Sequence, residues 1–134
     1  MASRLSIQTT VYKPSENQSW LGSAHGTDNA DPITLDGDSF LTTFTDGVIP
    51  SGVVLGKVTA TSKYRQYSNA AADGTQTAVG MLLTTVDLGG VTSAVVEDVT
   101  AALYWHGEVI EANLPTNHGL DSAGKTDLAL IRFV

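Results

Sequence analysis

Residues 67–83 read YSNAAADGTQTAVGMLL, a small polar loop followed by the apolar run that decides the fold of the chain. Asp73-Gly74 is typical of a hairpin turn, because glycine tolerates the positive φ that tight turns require. The run over residues 77–86 predicts a strand buried on both faces, since its apolar residues are nearly continuous. Gly80 within that run indicates a bulge or a close approach of another backbone.

The sequence on either side of this segment predicts further strands. A Pro50-Ser51-Gly52 turn leads into a strand over residues 53–59, and short strands are expected at residues 64–67 and 128–134. One helical turn is expected near residues 120–125. These elements predict a mainly β protein with at most one or two short helical turns.

The segment from residue 93 to residue 110 allows two interpretations. Val95, Val99 and Leu103 would share one face of a helix over residues 93–103, because they recur at four-residue spacing. The β-branched residues and flanking glycines instead favour a strand over residues 101–105, turning at His106-Gly107 into residues 108–110. We prefer the strand.

The first 46 residues differ from the rest in composition, because they are rich in Ser, Thr, Asn, Asp and Gly. Within them Leu5, Ile7 and Val11 stand among polar neighbours at nearly period two, which indicates a strand. Residues 13–46 hold too few apolar side chains to build a core alone, so we interpret them as a loop-rich tether. The chain is thus divided into an arm and tether over residues 1–46 and a core over residues 47–134. An unpaired strand in the arm would need a partner sheet to satisfy its backbone groups.

Composition and charge exclude several classes of protein. The chain of 134 residues has a net charge of −7, with 7 Lys and Arg against 14 Asp and Glu, so we expect no nucleic-acid partner. It has no cysteine, which rules out disulfides and cysteine chemistry. No stretch approaches the roughly 20 apolar residues of a membrane span, and the N-terminus lacks the apolar core of a signal peptide. We therefore expect synthesis in the cytosol and no membrane partner.

The strongest candidate for a metal site is the acidic stretch HGTDNADPITLDGDS, which contains His25, Asp28, Asp31, Asp36 and Asp38. Its spacing fails the calcium-loop pattern, since Gly37 precedes Asp38 and no glutamate follows at the twelfth position. Asp and Asn are also ordinary turn residues. His106 and Glu108 stand two apart, as an acid–base pair on a strand would, but a histidine in a turn is the favoured interpretation. We predict no catalytic residue, no metal site and no cofactor.

Two tryptophans stand out. Trp20 lies in an otherwise polar stretch, where it either anchors an interface with another subunit or partner, or packs onto its own domain. Trp105 is flanked by Tyr104 on a predicted strand and is expected to be half core and half surface. Together these three rings could instead stack on sugars, which leaves a carbohydrate-binding role open.

Several segments in order resemble the head decoration proteins of tailed bacteriophages, the family of the capsid-stabilising protein of phage lambda. GVIPSGVVLGKVTA is similar to the entry segment of the family, and KYRQY to its next strand. DGTQTAVGMLLTTVD resembles its most recognisable stretch, a D-G-T turn followed by A-V-G-I-L, and HGEVIEANL resembles a later strand. The resemblance covers about residues 47–134.

The resemblance implies a small β-clip-like domain with a mobile N-terminal arm. It implies homotrimers at the three-fold and quasi-three-fold sites on the outside of the expanded head, which stabilise it without doing any chemistry. The arm would add a β-strand to the major capsid protein, and this role falls to Ser3, Arg4, Leu5, Ser6, Ile7, Gln8, Thr9, Thr10, Val11 and Tyr12. Two alternatives are a carbohydrate-binding or receptor-contacting module of the virion surface and a β-clip enzyme of the dUTPase kind. The enzyme is disfavoured because the chain has few basic residues for a triphosphate.

Overall fold

The apolar run after Asp73-Gly74 forms one of the strands of a closed five-stranded barrel. The computed structural model describes residues 16–88 and 98–134. In chain order the strands are β1 (Asp31–Leu35), β2 (Val48–Ile49), β3 (Val54–Lys57), β4 (Tyr64–Gln66), β5 (Ala78–Leu82), β6 (Val86–Asp87), β7 (Val99–Tyr104), β8 (Gly107–Val109) and β9 (Ile131–Phe133).

The barrel has the strand order β1-β4-β3-β5-β7, and β7 closes it by pairing with β1. This closing pair is antiparallel and runs from Asp31 opposite Leu103 to Leu35 opposite Val99. Only the β1–β4 pair of the barrel is parallel. Two small sheets accompany the barrel, the antiparallel pair β2–β6 and the parallel pair β8–β9. The prediction of a mainly β protein is confirmed, and its β-clip likeness stays a prediction.

The helices among the described residues are short. The helix α1 spans Ser122–Asp127, where a helical turn was expected, and 3-10 turns lie at Thr27–Asn29, Gly37–Phe40 and Glu111–Asn113. Asp121 begins α1, because its carboxylate Oδ1 accepts a hydrogen bond from the Gly124 amide at 2.7 Å. Among the described residues, no helix is long and apolar enough to cross a membrane.

The expected bulge lies at Val79 in β5. Leu55 pairs with Gly80 and Gly56 with Ala78, so Val79 is an extra residue on its strand. Gly80 is also a point of close backbone approach, because a Cβ there would lie 2.8 Å from Tyr104 O on the neighbouring strand. The predicted long strand over residues 77–86 is divided in two, since β5 ends at Leu82 and β6 begins at Val86.

The turn at Asp73-Gly74 does not join two paired strands, and the hairpin interpretation was wrong. β3 lies between β4 and β5 in the barrel, so the two strands that flank the turn are not neighbours. The turn packs instead against the end of β3, where the Thr59 amide donates to Asp73 O at 2.9 Å. Gly74 has a φ of 113°, and a Cβ there would collide with the Lys57 carbonyl oxygen. Both observations require glycine at this position.

In the second half of the chain the strand interpretation is confirmed. β7 extends over Val99–Tyr104, where the alternative was a helix over residues 93–103, and residues 89–97 lie outside the described residues. The chain turns at Gly107, which has a φ of 139°, but β8 does not form a hairpin with β7. β8 pairs in parallel with β9 near the C-terminus, so the expected turn at His106-Gly107 does not join two paired strands.

The division of the chain at residue 46 is also corrected by the structure. β1 closes the barrel, and four apolar side chains from residues 33–44 are buried with Leu55 and Leu82 in one core cluster: Ile33, Leu35, Phe40 and Phe44. Trp20 joins the second core cluster, which contains Met81 and Tyr104. These residues are too few to form a core alone, but they complete a core whose other members come from later strands. The described part of the supposed tether therefore belongs to the same folded unit.

Candidate functional site

The predicted arm, residues 3–12, lies outside the described residues, and its role stays a prediction. The structure describes the segment that follows it, which we call the arm root and define as residues 16–22. The arm root contacts the connection from β5 to β6, the strand β8 and, through Trp20, the core of the domain. It thereby fixes the position of Glu16, the first described residue, on the domain.

The first contact of the arm root is with the β5–β6 connection. Both carboxylate oxygens of Glu16 accept from the Thr85 amide, at 2.8 and 2.9 Å. Gln18 Nε2 donates to the Leu83 carbonyl oxygen at 2.7 Å. Hydrogen bonds to a charged acceptor are stronger than neutral ones, so Glu16 is well suited to hold the start of the root.

The second contact is a short stretch of sheet with β8. The Gly22 amide donates to Glu108 O at 2.9 Å, and the Ile110 amide donates to Trp20 O at 2.6 Å. Leu21 lies opposite Val109 as an antiparallel bridge. The arm root therefore lies along one edge of β8 while β9 pairs with the other.

Trp20 fastens the middle of the arm root to the core. Its side chain is 0% exposed, and its Nε1 donates to Ser51 Oγ at 2.9 Å. Ser51 Oγ in turn donates to the Leu83 carbonyl oxygen at 2.6 Å, and the Tyr104 ring lies edge-on to Trp20 at 5.5 Å. The structure shows that Trp20 packs onto its own domain. The interface-anchor interpretation is corrected, because a fully buried ring has no surface to offer a partner.

The same burial corrects the picture of three aromatic rings arranged to stack on sugars. Trp20 and Tyr104 are both 0% exposed. Tyr104 OH donates to His25 O at 3.1 Å, so its polar end is used within the domain. Trp105 is half-buried as expected, and its Nε1 donates to Asn29 O at 2.7 Å. One partly exposed ring remains of the three.

The acidic stretch that resembled a metal loop is spread over several elements. Asp28 lies in the 3-10 turn Thr27–Asn29, Asp31 begins β1, and Asp38 lies in the 3-10 turn Gly37–Phe40. Asp36 Oδ2 accepts from Arg65 Nε at 2.8 Å, and Arg65 also reaches Asp73 at 3.2 Å. Within residues 16–88 and 98–134, no group of three or more His, Asp or Glu side chains is placed to hold a metal ion.

The histidines contact aromatic rings and backbone. His106 packs against His25 at 4.9 Å and against Trp105 at 4.4 Å between ring centroids. Its buried Nδ1 has no hydrogen-bond partner among the described residues, so Glu108 does not bond to it. His118 Nδ1 accepts from the Leu120 amide at 2.8 Å and so shapes its own loop. This arrangement does not form the acid–base pair considered for His106 and Glu108.

Two shifted pKa values mark a contact that holds α1 to the barrel. Tyr67 OH donates to Asp121 Oδ1 at 2.7 Å. Burial, with help from Asp121, raises the pKa of Tyr67 to about 12. Hydrogen bonds from the Gly124 amide and then from Tyr67 lower the pKa of Asp121. The pair serves stability, since it caps α1 and ties it to the residue that directly follows β4.

This contact predicts how stability depends on high pH. A folded-state pKa above the ordinary value of 10.0 means that stability is complete below pH 10 and is lost as pH rises through the folded pKa of about 12. Tyr67→Phe removes the hydroxyl, so the variant should be less stable by about 1 kcal/mol near pH 7. The difference from wild type should shrink above pH 10, as measured by urea unfolding at pH 7, 10 and 11.

Tyr64→Phe is the control for this prediction, because burial and Asp31 raise the pKa of Tyr64 without a hydrogen bond to a carboxylate. It should retain most of the loss of stability that wild type shows above pH 10. A difference between Tyr67→Phe and wild type that stays constant up to pH 11 would contradict the assignment.

Beside the arm root lies a groove that sequence reasoning missed. A hollow of about 150 Å³ is lined by Asn17 of the arm root, with Thr85 and Asn113, and a neighbouring hollow of about 460 Å³ is lined by Phe44 and Asp46. The two hollows share one wall made by Val48, Pro50 and Pro115. We call this continuous surface the proline groove. The turn at Pro50 was visible in the sequence, but the closeness of Pro50 and Pro115 in space was not.

The described residues form a small closed β-barrel, and residues 16–22 are held against it. The family model for bacteriophage lambda head decoration protein D matches residues 20–132, which is most of the chain. The chain therefore belongs to this family of phage head decoration proteins, and the suspected resemblance is confirmed. No curated protein matches the chain. Membership gives the chain a capsid decoration role and a place in the phage virion, and the family is structural rather than enzymatic.

Proposed function

We propose that the chain binds as a homotrimer at the three-fold and quasi-three-fold sites on the outside of the expanded phage head. There the arm, residues 3–12, adds a β-strand to the major capsid protein, and the trimer stabilises the head against the pressure of packaged DNA. Family membership supports the decoration role. The alternating pattern of the arm supports the mode of attachment.

The observation that carries the proposal is the anchored arm root. Its backbone bonds to β8, its Trp20 is buried, and Glu16 holds it to Thr85. The arm would therefore start from a fixed place on the folded domain. An arm with a fixed origin can reach only a limited area of a capsid, which favours binding at a defined site.

The arm supplies affinity through its backbone and specificity through its side chains. Main-chain hydrogen bonds to an exposed coat strand would satisfy its N–H and C=O groups, and Leu5, Ile7 and Val11 would seat in coat pockets. Ordering such a segment costs about 2–5 kcal/mol, so one arm would bind weakly. Three arms on one trimer would offset this weak binding, because avidity can raise the apparent affinity by roughly 10²–10⁴-fold.

A glycan-binding role is not proposed. Trp20 and Tyr104, two of the three rings it requires, are 0% exposed.

Electron microscopy of expanded heads incubated with the purified protein tests the proposal. We expect three-lobed density above the three-fold and quasi-three-fold positions, absent from heads without the protein, because a homotrimer of this fold matches that symmetry. Single lobes at the centres of coat hexamers, or no added density at saturating protein, would refute it. Sedimentation of the free protein should give the mass of three chains.

A further inference from the structure

We propose that the proline groove is the surface of the folded domain that rests on the capsid, where it binds a segment of the major capsid protein. The inference rests on the proposed function and adds a second contact to the arm. The coat segment would present an aliphatic or proline side chain to the groove wall and a cationic side chain near its rim.

The first argument is distance. The arm ends at Tyr12 and the described chain begins at Glu16, four residues later. Four residues of fully extended chain span at most about 14 Å. Tyr12 must therefore lie within about 14 Å of Glu16, and a coat strand paired with it about 5 Å further away at most. The surface around Glu16 faces the shell for this reason.

The second argument is position. Glu16 bonds to Thr85, and Thr85 and Asn17 both line the smaller hollow of the proline groove. Thr85 Oγ1 also accepts from the Ser51 amide at 3.1 Å, next to Pro50 of the groove wall. The groove thus begins where the arm root begins. A capsid that binds the arm cannot be far from it.

The third argument is the chemistry of the groove. Its shared wall is apolar, formed by Val48, Pro50 and Pro115, and Phe44 continues it into the larger hollow. Asp46 is the charged side chain that lines it, and no Lys or Arg lines either hollow among the described residues. Such a surface suits an apolar group beside a positive charge and disfavours nucleic acid.

The fourth argument is the overall charge of the domain. Residues 16–134 hold 5 Lys and Arg against 14 Asp and Glu, a net charge of −9, whereas residues 1–15 hold Arg4, Lys13 and no acidic residue. A basic coat surface would attract the domain while an acidic one would repel it. The partner at the groove is therefore a neutral or basic protein segment.

The test places bulky side chains at the rim of the proline groove to block it. Thr45 and Thr116 line the larger hollow and are exposed, so Thr45→Trp with Thr116→Trp should leave the fold intact. Thr100→Trp on β7 is the matched control, because Thr100 is also exposed and lines neither hollow. In co-sedimentation with expanded heads, the double variant should bind about 10-fold or more weakly, and the control should bind like wild type. Thermal unfolding and sedimentation should show all three chains to be folded and equally assembled.

A photo-crosslinking side chain at position 116 identifies the occupant directly. We expect it to crosslink to the major capsid protein on heads, and the same group at position 100 to give no such product. Normal head binding by the double variant, or a crosslink from position 116 to a second copy of this chain without heads, overturns the groove assignment and leaves the proposed function standing. If wild type itself fails to bind heads, the proposed function falls and this inference falls with it.

Discussion

Removal of residues 1–12 is expected to leave a folded protein that binds expanded heads at least about 100-fold more weakly. The described core clusters begin at Trp20, and the arm root holds itself to β8 and Thr85. The truncated chain should therefore keep its melting temperature and its assembly state. In the proposed homotrimer it would lose the backbone hydrogen bonds and pocket contacts of all three arms, so avidity would disappear with them. Co-sedimentation with heads over a range of protein concentrations measures the loss.

Substitutions within the arm distinguish binding as a β-strand from nonspecific hydrophobic binding. At period two, Leu5 and Ile7 share one face of a strand, while Ser6 and Gln8 share the other. Leu5→Ser with Ile7→Ser should weaken binding strongly, whereas Ser6→Ala with Gln8→Ala should have little effect. A proline at a position whose N–H bonds to the coat should also weaken binding, because proline cannot donate. Unchanged binding after removal of residues 1–12 would eliminate the arm mechanism.

The sequence predicted the parts of the fold that depend on local patterns. The apolar run after Gly74 indicated β5, and Gly80 indicated the bulge and close approach that the structure has. β-branched residues predicted β7 against the alternative helix. In each case neighbouring residues carry the information, because strand periodicity and glycine geometry are local properties.

The sequence could not predict contacts between distant residues. The hydrogen bond from Gln18 to Leu83 spans 65 positions, and that from Trp20 to Ser51 spans 31. The proline groove joins Pro50 to Pro115 in the same way. The sequence therefore left open whether Trp20 anchors an interface or packs onto its own domain, because its core partners come from other strands. The boundary at residue 46 failed for the same reason, since β1 contributes to a core that it cannot form alone.

Trp20→Ala should be the most destabilising single substitution considered, with a cost of about 3–5 kcal/mol. The ring is 0% exposed, and its removal would leave a large cavity beside Tyr104 and Met81. It would also remove the donor that Ser51 Oγ accepts from. Since a domain of this size is stable by about 5–15 kcal/mol, the variant should unfold at much lower urea concentration, with a melting temperature lower by roughly 10–20 °C.

Trp105→Ala is the matched control, because it removes the same side chain from a half-buried position where Nε1 bonds only to Asn29 O among the described residues. Its cost should be clearly smaller, because a partly exposed ring leaves less of a cavity. Trp20→Phe should lie between the two, since it keeps most of the apolar burial and loses the hydrogen bond to Ser51. Equal urea midpoints for Trp20→Ala and Trp105→Ala would contradict the burial of Trp20. A Trp20 that is not buried would also not hold the arm root, and the proposed fixed origin of the arm would lose its support.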